Sequence, residues 1–255
     1  MPSETLIIVE GPQDAAVVAA LLRPHQFEWL ESRSAVPDHW KRFIPTQLPH
    51  TDKLPIRIDH PRFLRSTGGS HVFVRVAGSV EQLPRKLAAD LKELPGTMPN
   101  SIGILLDADT KSAAARIDGI NRELGKTKLA IRFNGAPGQI AESEGIRCGV
   151  FVAPNNADPG TIEGILLEAG ESFAPQLLKK ARAFITGISV EDIPSEALRE
   201  FEKGDRSKSI VHAMGSVLRP GKPTQATLES DPWFTPPSSP MVTALRDFLA
   251  ALTQA

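Results

Sequence analysis

Short, unbroken apolar runs alternate along the chain with stretches of helical spacing. Leu6 to Val9 is apolar throughout, as a strand covered on both faces must be, and Asp14 to Leu22 follows as an Ala/Val/Leu-rich helix. His71 to Val76 alternates apolar and polar residues as a strand, Val80 to Leu94 reads as a helix, and Ser101 to Leu106 is another strong strand. Lys111 to Leu124 predicts an amphipathic helix with Ala114, Ile117 and Ile120 on its apolar side. Gly149 to Val152 predicts a further strand, stopped by Pro154, and Thr161 to Ala169 a helix after the turn at 155–160. Strands alternating with helices point to a doubly wound, Rossmann-like α/β fold around a parallel sheet flanked by helices.

Two regions depart from that alternation. From Arg23 to about Pro55, prolines at 24, 37, 45, 49 and 55 and tryptophans at 29 and 40 break any period, so an irregular insertion with room for a short hairpin is expected there. After about Gly170 the strand signal ends. Ala174–Ile185, Ser195–Glu202, Ser207–Leu218 and Pro240–Leu252 are predicted helices, the last with Ser239 as N-cap and Val242, Leu245, Leu249 and Leu252 on one face. The expected organisation is an α/β domain over 1–170 and a C-terminal helical lobe over 171–255.

Composition narrows the chemistry. With 255 residues, 41% of them apolar, the chain can bury a substantial core, and a net charge of -1 excludes the bulk basic character of a constitutive nucleic-acid binder. A single cysteine, Cys148, leaves no internal disulfide and no thiolate zinc cluster; it borders a strand and is expected to be a buried, inert thiol of a reducing compartment. The histidines (25, 39, 50, 60, 71 and 212) show no zincin pattern. The start, Met1-Pro2-Ser3-Glu4, lacks the features of a signal peptide, and no apolar run approaches the roughly eighteen residues of a membrane span, so a cytoplasmic protein is expected. Tyrosine is absent, which excludes any tyrosyl nucleophile.

What remains is acidic. Glu10 directly follows the first strand, and the strand ending at Leu106 runs into Asp107-Ala108-Asp109. In an open parallel sheet, ligand chemistry gathers at the carboxyl ends of the strands. Carboxylates brought together there repel unless they bind protons or a cation, and no Lys or Arg lies within three residues of Glu10 or Asp107. A hard divalent ion, Mg²⁺ or Mn²⁺, is the natural compensation. Asp107 and Asp109 would both face it if the extended geometry persists through the triplet. Singly, each acid has a duller explanation: Asp14 suits a helix N-terminus, and Asp109 or Thr110 could cap the helix that follows. Capping does not, however, require Glu10 and Asp107 to stand ahead of the caps at the ends of separate strands.

The stretch Ile7-Ile8-Val9-Glu10-Gly11-Pro12-Gln13-Asp14, followed by Gly103-Ile104-Leu105-Leu106-Asp107-Ala108-Asp109, resembles the two signature motifs of Toprim domains. Gly149 to Pro154, Pro159-Gly160-Thr161-Ile162-Glu163, and the tail from Lys208-Ser209-Ile210 through Trp233 to Phe248-Leu249 are similar to a small bacterial Toprim-like family allied to the OLD nucleases. That resemblance covers most of the chain and is poorest over the insertion. It implies a Toprim fold in which Glu10 is a general acid/base or ligand, Asp107 and Asp109 hold Mg²⁺, and Asp14 and Glu163 complete the metal shells. The absence of tyrosine and of a zinc ribbon separates the chain from topoisomerases and primases.

Two further stretches bear on phosphate binding. Gly215 to Lys222 has five residues rather than four between its glycines, Pro223 after the lysine and no preceding strand, so it is no phosphate loop. Between 203 and 222, Lys203, Arg206, Lys208, Arg219 and Lys222 face only Asp205, a patch that could hold phosphates if the helical lobe folds over the sheet edge, with Lys208 the preferred contact. Gly68, Gly69 and Gly78 read as turn residues. The expected function is a Mg²⁺- or Mn²⁺-dependent phosphodiesterase acting on DNA or RNA, catalysed by Glu10, Asp107, Asp109 and Lys208, with a setting in phage defence and an activating protein partner. The alternatives are a non-catalytic Toprim-like docking module and a hydrolase of small phosphoesters.

Overall fold

The continuous apolar runs become the central strands because only a strand covered on both faces uses such a sequence. The computed structural model describes residues 3–44, 61–94, 96, 98–203, 205–230, 233–234 and 239–254. Its strands are β1 (Glu4–Val9), β2 (Phe27–Trp29), β3 (Arg62–Ser66), β4 (His71–Val76), β5 (Ser101–Asp107), β6 (Ile140–Ser143) and β7 (Ile146–Ala153), joined in one sheet of order β2-β3-β4-β1-β5-β7-β6. The central β4, β1, β5 and β7 are mutually parallel. The outer β2, β3 and β6 are antiparallel to their neighbours, an addition the sequence patterns did not predict. Register then positions the acids. Val9 lies opposite Leu105 and Asp107 opposite Ala153, so Glu10, Asp107 and the loop after β7 leave the sheet at the same edge.

The helices are α1 (Pro12–Leu22), α2 (Leu83–Lys92), α3 (Ala113–Gly125), α4 (Ile162–Phe173), α5 (Pro175–Gly187), α6 (Ser195–Lys203), α7 (Arg206–Leu218), α8 (Thr224–Ser230) and α9 (Pro240–Thr253). Alternation along β1 and β5 sends neighbouring side chains into opposite cores. Ile7, Val9 and Leu105 pack with α1, α4, α5, α7, α8 and α9, whereas Leu6, Ile8, Ile104 and Leu106 pack with α2, α3, Trp40 and Phe43. The boundary drawn at residue 170 falls inside α4, and the helices beyond it share the first of these cores with the sheet. Close approach of α9 depends on two glycines: a Cβ at Gly103 would collide with Leu252, and one at Gly149 would sit 2.8 Å from Phe248. Among the described residues no helix is long and apolar enough to cross a membrane.

Several local expectations change. The buried stripe of α3 is Ala113, Ile117, Ile120 and Leu124, while Ala114 is exposed. The N-cap of α3 is Ser112, which accepts from Ala115 N, so neither Asp109 nor Thr110 caps it. Val80 to Leu94 opens with a 3₁₀ turn at Val80–Gln82 before α2. Part of the predicted insertion is ordered, since β2 joins the sheet and Trp40 is buried against Phe63 and Phe73. Pro45, Pro49 and Pro55 lie outside the described residues, as does the side chain of Lys203. Gly215 lies within α7, not in a loop ahead of a helix. Cys148 is buried in β7, where burial pushes its thiol up to about 12, as an inert core residue requires.

Candidate functional site

Glu10, Asp14, Asp107 and Glu163 come from three βα junctions and meet at the carboxyl edge of β1 and β5. Glu10 is the first residue beyond β1, and its backbone carbonyl accepts a hydrogen bond from Gly78 N at 2.9 Å. One of its carboxylate oxygens, Oε2, is buried without a hydrogen-bond partner. Burial raises the Glu10 carboxyl above its ordinary range, and the negative charge of Asp109 adds to the effect.

Asp14 sits in the first turn of α1, with Oδ2 accepting from Gly11 N at 2.7 Å. That bond is half of a capping box, so the capping reading of Asp14 holds as far as it goes. It does not account for the burial of a carboxylate beside other acids. Burial pushes Asp14 up to about 7, the Gly11 N–H opposes the rise, and the charges of Glu10 and Glu163 add to it. Gly11 itself has extended backbone, with φ -127°, so the turn does not demand glycine.

Asp107 closes β5 and accepts a hydrogen bond on Oδ1 from Ile162 N, 2.8 Å away at the start of α4. Partial burial raises it to about 8, helped by the charges of Asp14 and Glu163, against the pull of that N–H. Glu163, in the first turn of α4 and only 4% exposed, accepts from Gln13 Nε2 at 3.1 Å. The Lys208 ammonium on α7 stands 4.0 Å from Glu163 Oε1. The start of α7 therefore reaches this edge of the sheet, and Lys208 is the cation nearest Glu163 among the described residues.

Asp109 is placed differently. The extended geometry ends at Asp107, and Asp109 adopts φ 50°, a left-handed conformation that Asp tolerates better than most residues. A two-way backbone bridge to Gly160, with both N···O distances 2.8 Å, holds it there, and Gly160 itself needs glycine at φ 142°. The Asp109 carboxylate, half exposed, pairs with Arg116, whose Nε also donates to Ala108 O at 3.1 Å. The expectation that Asp107 and Asp109 face one point in extended register is corrected by this turn, although Asp109 still acts on Glu10 through its charge.

The donor chemistry fits a hard divalent cation: all the converging ligand atoms are carboxylate oxygens, and Glu10 Oε2 is buried with nothing to bond. Glu10, Asp107, Asp14 and Glu163 could hold the ion. Geometrically the group is a neighbourhood of acids, not a finished cage; among the described residues no three His, Cys, Asp or Glu side chains are arranged to hold a metal ion. Without a cation, the raised values of Asp14 and Asp107 mean that the group retains protons near neutrality.

Sequence reasoning missed Gln13 and Arg116. Gln13 carried no signal beyond its place beside Asp14, since its role depends on a residue 150 positions away. Arg116 could have been found: it lies three residues after Ala113 on the buried side of α3, where an arginine needs a partner.

A family profile described as "Protein of unknown function (DUF3226)" matches residues 4–254. Comparison with curated proteins gave no match. Among solved structures, the hypothetical protein PH0156 from Pyrococcus horikoshii OT3 is similar, with a TM-score of 0.59 and 17% identity over 99% of this chain and 95% of that one. At that identity the likeness concerns the fold alone.

Proposed function

The chain belongs to the protein family of unknown function DUF3226, and from that premise we propose that it is a divalent-metal-dependent phosphodiesterase acting on nucleic acid in the cytoplasm. The observation that carries this reading is the meeting of Glu10, Asp14, Asp107 and Glu163 at one sheet edge, with Asp14 and Asp107 raised to about 7 and about 8. Acids held at such a junction without matching cations are compensated either by protons or by a metal. The resemblance of the segments around Glu10 and Asp107 to Toprim motifs supports the choice of Mg²⁺ or Mn²⁺.

Such an ion supplies a more acidic bound water and offsets charge on the transferring phosphoryl group. The protein's own residues do the rest. Glu10, its carboxyl raised by burial, is placed to take and return a proton. Asp107 is oriented by the Ile162 N–H, and Glu163 by Gln13. Lys208, exposed at its tip beside Glu163, can grip a phosphate oxygen. Asp109 and Arg116 fix the loop next to Glu10 and tune its charge. Phage defence, with an activating protein partner, is the setting the resemblance implies.

A second reading, a non-catalytic docking module, draws on the absence of a ready-made metal-holding triad among the described residues. The two part on one experiment. Purified protein supplied with Mn²⁺ is expected to cleave DNA or RNA, and Asp107→Ala to lose this activity while keeping its circular dichroism spectrum. Equal cleavage by both proteins would defeat the assignment. Silence in both would favour the docking module.

A further inference from the structure

On the face of the sheet away from α1, the 3₁₀ turn Val80–Gln82 and the start of α2 border α3 along a groove of about 390 Å³. Ala115, Gly119, Arg122 and Lys126 form its α3 wall; spaced four, three and four residues apart, they fall on one stripe of the helix, with Lys111 just ahead of the N-cap. Arg85 projects from the opposite wall. Arg85, Lys111 and Arg122 are exposed and take part in no ion pair among the described residues. The lining acids are Glu81 and Glu123, the second of which is paired with Lys126.

A solvated charged face is the ordinary explanation of surface lysines and arginines, but it needs no concavity. Here Ala115 and Gly119 leave room along the α3 wall, and Gly119 sits in mid-helix, where glycine costs about 1 kcal/mol relative to alanine. The space is used: the Arg122 guanidinium lies back over Gly119, 4.0 Å from where a Cβ would stand. Five cations against two acids give the lining a net positive charge, and a concave wall of that sign focuses its field on an anion. The inner end of the groove also leads to the acidic edge, because Arg116 lines the groove and pairs with Asp109.

We propose that this groove binds the phosphodiester backbone of a single nucleic-acid strand and guides it across the carboxyl edge of the sheet towards Lys208. The proposal rests on the phosphodiesterase reading for what happens at that edge, not for the binding itself. The volume lies near the low end of small-molecule sites, enough for a stretch of one strand but not for a duplex. No aromatic side chain lines the groove, so binding draws on charge and not on base stacking, and is insensitive to sequence and sensitive to salt.

The test is fluorescence anisotropy of a short fluorescein-labelled oligodeoxythymidylate with the full chain, in EDTA so that no cleavage intervenes. The double variant Arg85→Glu/Arg122→Glu is expected to bind on the order of ten-fold more weakly, with a salt dependence shallower by about one unit or more. Gly119→Leu, which narrows the groove and removes no charged group, is expected to weaken binding while retaining the circular dichroism of the parent. Lys180→Glu, on the exposed side of α5, is the control and is expected to bind as the parent does. Unchanged affinity and salt slope in the double variant, or an equal loss in the control, would overturn the proposal. If the groove variants lose binding but the parent cleaves nothing with Mn²⁺, the groove stands and the hydrolytic reading falls. If the parent cleaves and the groove variants bind normally, the converse holds.

Discussion

Gly103 and Asp107 lie four residues apart on β5 and project towards the same face of the sheet, yet their surroundings are opposite. At Gly103 the strand gives up its side chain so that Leu252 of α9 can lie directly against it. At Asp107 it keeps a carboxylate among Asp14, Glu163 and Glu10, with the Ile162 N–H as its hydrogen-bond donor. The first position gains stability from close packing. The second gives stability up, because burial and like charges raise its carboxyl to about 8. One strand thus anchors a helix at one point and holds an unfavourable acid cluster at another. The anchored part is what keeps the acids together.

The largest expected effect concerns pH. Asp14 and Asp107 ionise near their ordinary value of 3.8 in the unfolded chain and at about 7 and about 8 in the folded one. Between those limits the folded protein holds more protons at these two sites, so their contribution to stability is fully present below about pH 4 and is lost as pH rises through 7 and 8. With about 1.4 kcal/mol per pH unit for each proton, and less for coupled groups, a loss on the order of 4 kcal/mol is expected between about pH 5 and about pH 8 in EDTA. Mn²⁺ should restore much of it at the upper end, because a cation takes over from the protons. Thermal melts across that range, with and without Mn²⁺, measure both effects; a flat profile in EDTA would remove the electrostatic half of the comparison.

A smaller effect is expected from Asp107→Asn, which keeps the acceptor for Ile162 N–H and removes the charge. At neutral pH without metal it should stabilise the protein by about 2 kcal/mol and reduce the pH slope. Urea unfolding of the two proteins measures this, and a destabilised variant would contradict it. The smallest is expected from Gly103→Ala. The added methyl meets the end of the Leu252 side chain, which can turn away, so a loss of about 1 kcal/mol is expected, read as a lower urea midpoint with little change in pH slope. Opposite signs at two positions of one strand are the sharpest form of the comparison.

Much of the fold was legible because the central strands are buried on both faces and leave unbroken apolar runs. The edge strands were not. β2, β3 and β6 are short, antiparallel and include exposed polar residues such as Glu28, Arg65 and Glu142, so their pairing is set by neighbours and not by their own pattern. The candidate site divides in the same way. Glu10 and Asp107 could be read from their positions after apolar runs, and Asp14 and Glu163 from motif resemblance. The turn of Asp109 towards Arg116 and the Gln13–Glu163 bond could not, since each depends on partners brought together by packing.

By itself the sequence determined that an α/β sheet would form and that acids would stand at the ends of two of its strands, because side-chain period and strand burial are local properties of the chain. Only the tertiary structure decided that α1, α4 and α7 would bring Asp14, Glu163 and Lys208 to that edge, and that Asp109 would turn aside. The reason is physical: register and helix packing fix distances between residues far apart in the chain, and the proton or cation demand of a carboxylate depends on those distances and not on its neighbours in sequence.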